Sequence, residues 1–182
     1  MHKYSKIYYF IDNFDRDEIT KLDKNISLIY RNYKIEYKIH LIKQIKAFCL
    51  SQRRKFFIAN NLQIAKSLRL DGVYIPSFNK LTNFRNLNVN KNFTIIGSAH
   101  NRNELTNKIK QGCVEIFVAP VFKTKKSDFF LNIAKFNLIS HSTNVKIIAL
   151  GGINSSNFSK LNLLKIVGFA SIRWIKKTGL KN

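Results

Sequence analysis

Two stretches in the second half of the chain combine residue types that bind phosphate esters. In residues 151–156, two adjacent glycines let the backbone approach a ligand closely, and Asn154 or Ser155 can cap the next helix. Residues 120–127 carry a threonine, a serine and several lysines, and hydroxyl and ammonium groups both bind phosphate oxygens. Together they predict an anion site. A glycine turn without a ligand and a solvated run of charge are the alternatives.

Two further candidates lie in the sequence Gly97-Ser98-Ala99-His100. Ser98 can donate a hydrogen bond to an anion from the end of a strand. His100 is the kind of side chain that titrates near neutral pH and could act as an acid or base. Because a lone histidine is more often structural, a purely structural His100 is the alternative interpretation.

The elements that must position these groups alternate between short apolar runs and amphipathic stretches, which is typical of a parallel sheet with crossover helices. The predicted strands are residues 6–11, 26–33, 56–60, 72–76, 93–98, 115–121, 146–150 and 168–172. The predicted helices are residues 39–52, 62–70, 103–111, 128–141 and 156–164. We expect these units to close into a (β/α)8 TIM barrel, with the functional groups on the loops after the strands.

The length of the chain predicts one domain, residues 1–182, and a shortened barrel. At 182 residues it falls below the ~200 to 250 that this fold usually takes. Only residues 176–182 follow Ile175, so we expect the last helix to be reduced or missing. Residues 78–91, after the fourth strand, are predicted to be irregular.

The composition is strongly basic, with a formal net charge of +22 and a pI near 10.2. Such a charge indicates an anionic partner, either small phosphates or nucleic acid, or else a compositional bias that spreads lysine over solvent-facing helices. The sequence lacks RNP-like strands, a GXXG loop and finger cysteines. Only the charge itself therefore supports nucleic-acid binding.

Hydropathy and cysteine spacing favour a cytoplasmic protein. No apolar run approaches the ~18 to 20 residues that cross a bilayer, so no membrane partner is expected. The first residues lead straight into an apolar strand without a signal-peptide pattern. Cys49 and Cys113 lack metal or redox spacing, and we interpret them as reduced, half-buried packing residues.

Four blocks of sequence, in order along the chain, resemble the thiamine phosphate synthase family and its thiazole tautomerase (TenI) relatives. The blocks are residues 71–76 (Asp-Gly-Val-Tyr-Ile-Pro), 97–100 (Gly-Ser-Ala-His), 119–124 (Ala-Pro-Val-Phe-Lys-Thr) and 149–154 (Ala-Leu-Gly-Gly-Ile-Asn). The resemblance extends from about Ser27 to Trp174. It implies a (β/α)8 barrel, in agreement with the strand count.

The resemblance also implies a reaction. In that family the synthase joins an aminopyrimidine methyl diphosphate to a thiazole phosphate, giving thiamine phosphate and pyrophosphate. Diphosphate leaves first, and the thiazole nitrogen then attacks the pyrimidine carbocation. Positioning and charge stabilisation therefore matter more than an acid or base.

Carried over by position, the resemblance assigns roles to several residues. Arg31 matches the arginine of a Gln-x-Arg-x-Lys motif, although Ile29 and Tyr33 replace the glutamine and lysine. Asn60 is expected to bind the pyrimidine, and Ser98 to lie near the diphosphate. The implied catalytic residues are Arg31, Asn60, Ser98 and Lys126. The implied substrate-binding and phosphate-binding residues are Thr124, Lys125, Gly151, Gly152 and Arg173.

The departures from the family concern mainly the metal. Two aspartates hold magnesium in the family, and their positions are Asn61 and Asn79 here. Magnesium prefers anionic oxygen, so no metal ligand is assigned and any magnesium binding is expected to be weakened. Ser127 replaces the lysine that closes the strand-six loop, and Pro120 replaces the tautomerase histidine.

Three functions stay open at this stage. One is a divergent thiamine phosphate synthase in which Lys80, Lys123, Lys125 and Lys126 neutralise the diphosphate in place of metal-binding carboxylates. The second is a family member without synthase activity that binds a thiazole or thiamine phosphate in salvage, carriage or regulation. The third is a basic nucleic-acid-binding protein. The sequence does not determine the oligomeric state.

Overall fold

A computed structural model of the protein describes residues 4–33, 37–81, 84, 91–125 and 128–180. Eight parallel strands follow one another around a closed barrel, in which β1 pairs with both β2 and β8. The strands are β1 (Lys6–Ile11), β2 (Ile26–Tyr30), β3 (Phe56–Ala59), β4 (Gly72–Ile75), β5 (Thr94–Ala99), β6 (Glu115–Val118), β7 (Lys146–Leu150) and β8 (Gly168–Ala170). The predicted (β/α)8 barrel is confirmed.

The helices form the outer layer of the barrel. They are α1 (Arg16–Lys21), α2 (Ile39–Ser51), α3 (Leu62–Ser67), α4 (Arg102–Lys110), α5 (Asn132–His141) and α6 (Arg173–Thr178), with a 3₁₀ helix at Phe158–Leu163 between β7 and β8. The last helix is present but short, with 6 residues. Among the described residues, no helix is long and apolar enough to cross a membrane.

Several strands end earlier than the sequence predicts, because turn residues follow them directly. β3 stops before Asn60, whose φ of 56° lies in the left-handed region and cannot continue a strand. β6 stops before Pro120, which lacks the N–H that a central strand donates. β2, β4 and β8 are also shorter than predicted, by one to three residues at the carboxyl end, and β5 is shifted by one residue.

Helix α1 is an element that the hydropathy pattern misses. Its signal is the capping-box spacing of Asp15 and Glu18, and the Asp15 side chain accepts a hydrogen bond from the Glu18 N–H. The helix has 6 residues and buries only Ile19. It is therefore too short to show an apolar periodicity.

The segment after β7 differs from the predicted α-helix at 156–164. Asn154 caps a turn rather than a helix, because its Oδ1 accepts a 2.9 Å hydrogen bond from the Ser156 N–H. The helix starts only after this turn, at Phe158, and is a 3₁₀ helix. The prediction that α5 starts at residue 128 is also wrong, since α5 begins at Asn132.

The apolar residues divide between a core inside the barrel and a larger core between sheet and helices. The interior members are Tyr8, Phe10, Ile29, Phe57, Ala59, Tyr74, Ile96, Phe117, Ile148 and Ala170. At the amino ends of the strands, a 3.0 Å salt bridge joins Lys6 to the buried Glu115, which also accepts a hydrogen bond from Tyr8. The interior is therefore filled and closed at that end.

Both cysteines are free thiols packed in the outer core. Cys49 is 1% exposed and Cys113 is 3% exposed, so the prediction that they are half-buried is wrong. The reason is that each faces the contact layer between a helix and the sheet. Burial raises the pKa of each thiol to about 12.

Candidate active site

A polar cluster lies at the carboxyl ends of the strands, directly above the interior core. The Tyr74 hydroxyl donates a 2.9 Å hydrogen bond to Ser98 Oγ, and the positively charged Arg31 lies near the same hydroxyl. The Arg31 guanidinium carbon lies 4.5 Å from the ring centroid of Phe10, within cation–π distance. Arg31 and Ser98, predicted from separate strands, thus meet at one tyrosine.

Tyr74 is a site residue that the sequence interpretation misses. Burial raises the pKa of Tyr74, and the hydrogen bond with Ser98 and the positive charge of Arg31 counteract part of that rise. The hydroxyl therefore stays protonated and serves as a fixed donor. The available signal was the strand period, because Tyr74 occupies an inward position of β4, where a polar tip needs a buried partner.

Asn60 and Asn79 form a second polar contact, between the loops after β3 and β4. The Asn79 side-chain amide donates a 2.7 Å hydrogen bond to Asn60 Oδ1. Asn79 Oδ1 in turn accepts a 2.9 Å hydrogen bond from the Leu81 N–H. Asn60, which is expected to bind the pyrimidine, is therefore held by Asn79, which occupies the position of a metal-binding aspartate in the family.

These loops do not fit a magnesium ion. The Asn61 side-chain oxygen accepts the Ile64 N–H as the N-cap of α3, and the Asn79 oxygen is occupied by its own turn. Neither group carries the negative charge that magnesium prefers. Among the residues that the structure describes, no group of three or more His, Cys, Asp or Glu side chains could hold a metal.

The loop after β7 packs tightly against the loop after β6. Gly151 and Gly152 have φ values of 96° and 74°, and a Cβ on Gly152 would lie 2.5 Å from the backbone oxygens of Phe122 and Lys123. The Val121 N–H donates to Leu150 O, and the Phe122 N–H donates to Gly151 O. Only glycine fits this approach, so the two predicted phosphate-binding stretches form one continuous rim.

The basic and hydroxyl residues of this rim are mostly exposed. Lys125 is exposed and Thr124 is half-buried beside it. The Lys123 ammonium lies 2.8 Å from Asp128 in a surface ion pair. Arg173 is exposed at the first position of α6, after β8. The predicted site residue Lys126 and its neighbour Ser127 lie outside the described residues.

The ring and the backbone of His100 both make hydrogen bonds within the protein. Its Nδ1 donates a 2.7 Å hydrogen bond to the Ala119 carbonyl, which joins the end of β5 to the end of β6. The backbone N–H of His100 donates to Glu104, in the first turn of α4. These contacts favour the structural interpretation of the histidine.

Two exposed aromatic rings stand near the Asn60–Asn79 contact. Tyr33 is 50% exposed and Phe78 is 63% exposed, and their rings meet edge to face with centroids 5.5 Å apart. Partial burial raises the pKa of Tyr33, the neighbouring Tyr74 adds to the rise, and the positive charge of Arg31 lowers it in part. Tyr33 therefore extends the polar cluster outward as an aromatic surface.

A cavity of about 200 Å³ opens beside the end of β1, and Arg31 is the one predicted site residue in its lining. Its other polar groups include Asp12, Glu18 and Lys176, and Lys176 Nζ lies 2.6 Å from Glu18. Two carboxylates would repel a phosphate. The cavity is therefore less suited to an anion than the rim formed by the loops after β6 and β7.

The closed ring of eight parallel strands with helices outside it defines the class of (β/α)8 barrels. Within that class, the chain belongs to the thiamine monophosphate synthase family, whose family model matches residues 23–175. The resemblance inferred from four sequence blocks is therefore confirmed.

Individual relatives agree with this assignment. The chain is 31% identical to a thiamine-phosphate synthase of Prochlorococcus marinus over 73% of its own length, but it spans only 39% of that protein. A thiamine-phosphate synthase of Pelagibacter ubique is 28% identical over 87% of this chain and 82% of its own. The fold matches a thiamine phosphate pyrophosphorylase from Pyrococcus furiosus with a TM-score of 0.75 at 17% identity, covering 96% and 92% of the two chains.

Proposed function

We propose that this protein is a divergent thiamine phosphate synthase. It joins an aminopyrimidine methyl diphosphate to a thiazole phosphate and releases pyrophosphate. Membership of the family and the polar groups at the carboxyl ends of the strands support this proposal. Its substrates are small phosphate esters, in keeping with the net charge of +22.

The observation that carries the proposal is the arrangement of two subsites around the barrel. β3 and β7 lie opposite each other in a closed ring of eight strands. The opening of the barrel at the carboxyl ends of the strands is called the mouth. Asn60, after β3, and the Gly151–Gly152 turn, after β7, are therefore on opposite sides of the mouth. Two separate substrates can meet between them, above the cluster of Arg31, Tyr74 and Ser98.

The thiazole phosphate binds at the glycine-rich rim. Backbone amides of Gly151 and Gly152 approach its oxygens closely, since no side chain intervenes at either residue. Thr124 supplies a hydroxyl, and Lys125 and Arg173 supply positive charge. The close packing of the two loops fixes the backbone of Gly151 and Gly152 before the ligand arrives, which reduces the entropy lost on binding.

The aminopyrimidine diphosphate binds on the other side of the mouth. Ser98 Oγ accepts its hydrogen bond from Tyr74, so the Ser98 proton can be donated to a diphosphate oxygen. Arg31 supplies a fixed positive charge for the same leaving group. Asn60 binds the aminopyrimidine edge, and the exposed Tyr33–Phe78 pair offers an aromatic face for the ring.

Catalysis in this proposal depends on positioning and charge. The bond between the pyrimidine methylene carbon and the diphosphate oxygen breaks first, and its electron pair leaves with the diphosphate. Arg31, Ser98 and the lysines of the β6 loop stabilise that developing negative charge. The thiazole nitrogen then donates its electron pair to the carbocation. No protein group must transfer a proton in either step.

A second candidate is a family member that binds a thiazole or thiamine phosphate without joining the substrates. The asparagines at both family metal positions favour it, because their oxygens are already used in a helix cap and a turn. This candidate keeps the glycine-rich rim as a binding site and assigns no turnover to the opposite side.

The decisive experiment is a turnover assay with both purified substrates, in magnesium and in excess chelator. We expect thiamine phosphate to form, and Ser98→Ala to lower kcat/KM by about 100-fold, the loss typical of one charge-stabilising donor. Lys43→Gln, which removes an exposed lysine on α2, is the matched control and should leave kcat/KM unchanged.

Titration calorimetry with each substrate separates the two candidates. Binding of the thiazole phosphate without product formation would replace the synthase proposal with the second candidate. Binding of neither phosphate ester would overturn both.

A further inference from the structure

A lysine and a glutamine of the outer layer are buried beside the candidate site. Lys108, in the last turn of α4, is 1% exposed, and Gln111, at the end of the helix, is 0% exposed. Lys108 Nζ donates to Gln111 Oε1 at 2.8 Å. Such a pair is unusual on a helix that packs against a sheet, because buried polar groups need internal partners.

The partners of this pair are backbone carbonyls of the loop after β4. Lys108 Nζ donates to Asn79 O at 2.6 Å, and Gln111 Nε2 donates to the same oxygen at 2.9 Å. Gln111 Nε2 also donates to Leu81 O. The two side chains therefore hold three hydrogen bonds to a single short loop segment.

The neighbouring strand leaves space for this arrangement. A Cβ built on Gly97 of β5 would lie 2.9 Å from Lys108 Cδ and 2.8 Å from Cys113 Sγ. The missing side chain at Gly97 thus makes room for the Lys108 stem. Burial lowers the pKa of Lys108, and Cys113 and Glu104 counteract part of that shift.

The contact continues from this loop into the candidate site. The peptide that Lys108 and Gln111 hold by its carbonyl belongs to Asn79, whose side chain donates to Asn60. Asn60 sits in a left-handed conformation at the end of β3 and has no helix of its own to orient it. Its side-chain direction therefore depends on Asn79.

We propose that Lys108 and Gln111 are positioning residues, which hold the loop after β4 so that Asn79 orients Asn60 toward the pyrimidine substrate. They touch no substrate and act only through Asn79. The identity of the pyrimidine substrate rests on the proposed synthase function. The hydrogen bonds of Lys108 and Gln111 to the loop, called the tether below, do not depend on it. Such a tether joins the β3 and β4 loops through amides and a lysine, without requiring a carboxylate at either loop.

Two variants test this proposal in the full chain. Lys108→Met keeps the apolar stem and removes the ammonium. Gln111→Glu keeps an acceptor for Lys108 and removes both donors to the loop. The matched control is Arg54→Met, because Arg54 is also a buried cation that donates to backbone carbonyls, those of Asp23 and Ile26 at the opposite end of the barrel.

The first readout is hydrogen–deuterium exchange of the loop, which needs no substrate. In the protein, the Asn79 N–H donates to Pro76 O, and the Leu81 N–H donates to Asn79 Oδ1. We expect both tether variants to raise exchange of these amides by about tenfold, since local opening becomes easier. Arg54→Met should leave exchange in residues 77–81 unchanged. Unchanged exchange in both tether variants would overturn the proposal.

The second readout is the pair of KM values. We expect KM for the aminopyrimidine diphosphate to rise by about tenfold in both tether variants, as the loss of a hydrogen bond to a site residue predicts. KM for the thiazole phosphate should not change, and Arg54→Met should change neither. Equal rises in both KM values would indicate a general loss of structure and would contradict a positioning role.

Failure of the proposed function gives a different result. A wild-type protein that makes no thiamine phosphate would refute the synthase assignment, and the exchange data would still decide whether Lys108 and Gln111 hold the loop.

Discussion

The Asn79 side-chain amide donates a 2.7 Å hydrogen bond to Asn60 Oδ1 and so joins the loops that follow β4 and β3. Asn79 stands where the family resemblance places a metal-binding aspartate. In this chain the two loops are connected by a direct amide contact. The contact also accounts for the orientation of Asn60, which no helix or strand determines.

Two replacements of Asn60 should distinguish the role of its side chain in binding from the role of its backbone conformation in stability. Its φ of 56° suits glycine, so Asn60→Gly should fold nearly as well as the wild type while losing the pyrimidine contact. Asn60→Ala should lose the same contact and also about 1 kcal/mol of stability, because alanine resists the left-handed region. Urea unfolding and KM for the aminopyrimidine diphosphate measure the two effects. Equal stability of the two variants would contradict the assigned backbone conformation.

Replacement of Asn79 should act on the same substrate alone. Asn79→Ala is expected to raise KM for the aminopyrimidine diphosphate by about three- to tenfold, the value of one net hydrogen bond. Asn137→Ala is the control, because the Asn137 side chain likewise makes two hydrogen bonds, here to the backbone of Leu163 and Lys165 far from the site. A similar KM change in both variants would argue against a specific role for Asn79.

Tyr33 should contribute to binding of the aminopyrimidine diphosphate through its aromatic ring rather than its hydroxyl. Tyr33→Leu is expected to raise KM for the aminopyrimidine diphosphate by about three- to tenfold, as aromatic pairs are worth ~0.5–1.5 kcal/mol. Tyr33→Phe keeps the ring and should behave like the wild type. Steady-state kinetics of both variants make the comparison, and equal effects would instead assign the role to the hydroxyl.

The glycine-rich rim should tolerate no side chain at Gly152. Gly152→Ala is expected to cost about 1–3 kcal/mol of stability and to raise KM for the thiazole phosphate, because a Cβ would meet backbone oxygens at 2.5 Å. Gly179→Ala is the control, with a φ of 65° and a backbone oxygen 2.6 Å from its Cβ position. It should lose stability without a change in KM. Calorimetric binding that is unchanged in Gly152→Ala would remove the rim from the proposed site.

The buried thiols should make the protein less stable in alkali. Burial raises the pKa of Cys49 and Cys113 to about 12, from the ordinary thiol value of 9.0. The unfolded chain therefore loses these protons first, so their contribution is complete below pH 9 and is lost as the pH rises toward 12. Each thiol can contribute a slope of up to about 1.4 kcal/mol per pH unit in that window. Urea titrations at pH 8 and pH 10 should show a smaller loss for a Cys49→Ala/Cys113→Ala variant than for the wild type. An equal loss would show that other groups dominate.

Much of the barrel could be predicted from local sequence. The strands β1 and β7 have the predicted bounds, because each is a short apolar run between polar turns. The loops after β6 and β7 could also be singled out as candidate phosphate sites, since glycine pairs and clustered lysines are local features. Helix α1 was beyond the reach of hydropathy, because six residues with one buried side chain carry no apolar period.

The contacts within the candidate site depend on tertiary structure. Arg31, Tyr74 and Ser98 come from three strands, and only closure of the barrel brings their polar groups together. Lys108 is one lysine among many in a basic sequence. It can be buried because Gly97 has no side chain and leaves space for the Lys108 stem. The sequence by itself determined the order of strands and helices, because that order follows from local periodicity and turn chemistry. The tertiary structure decided which polar side chains share partners, because hydrogen bonds act over about 3 Å between residues that lie far apart in the chain.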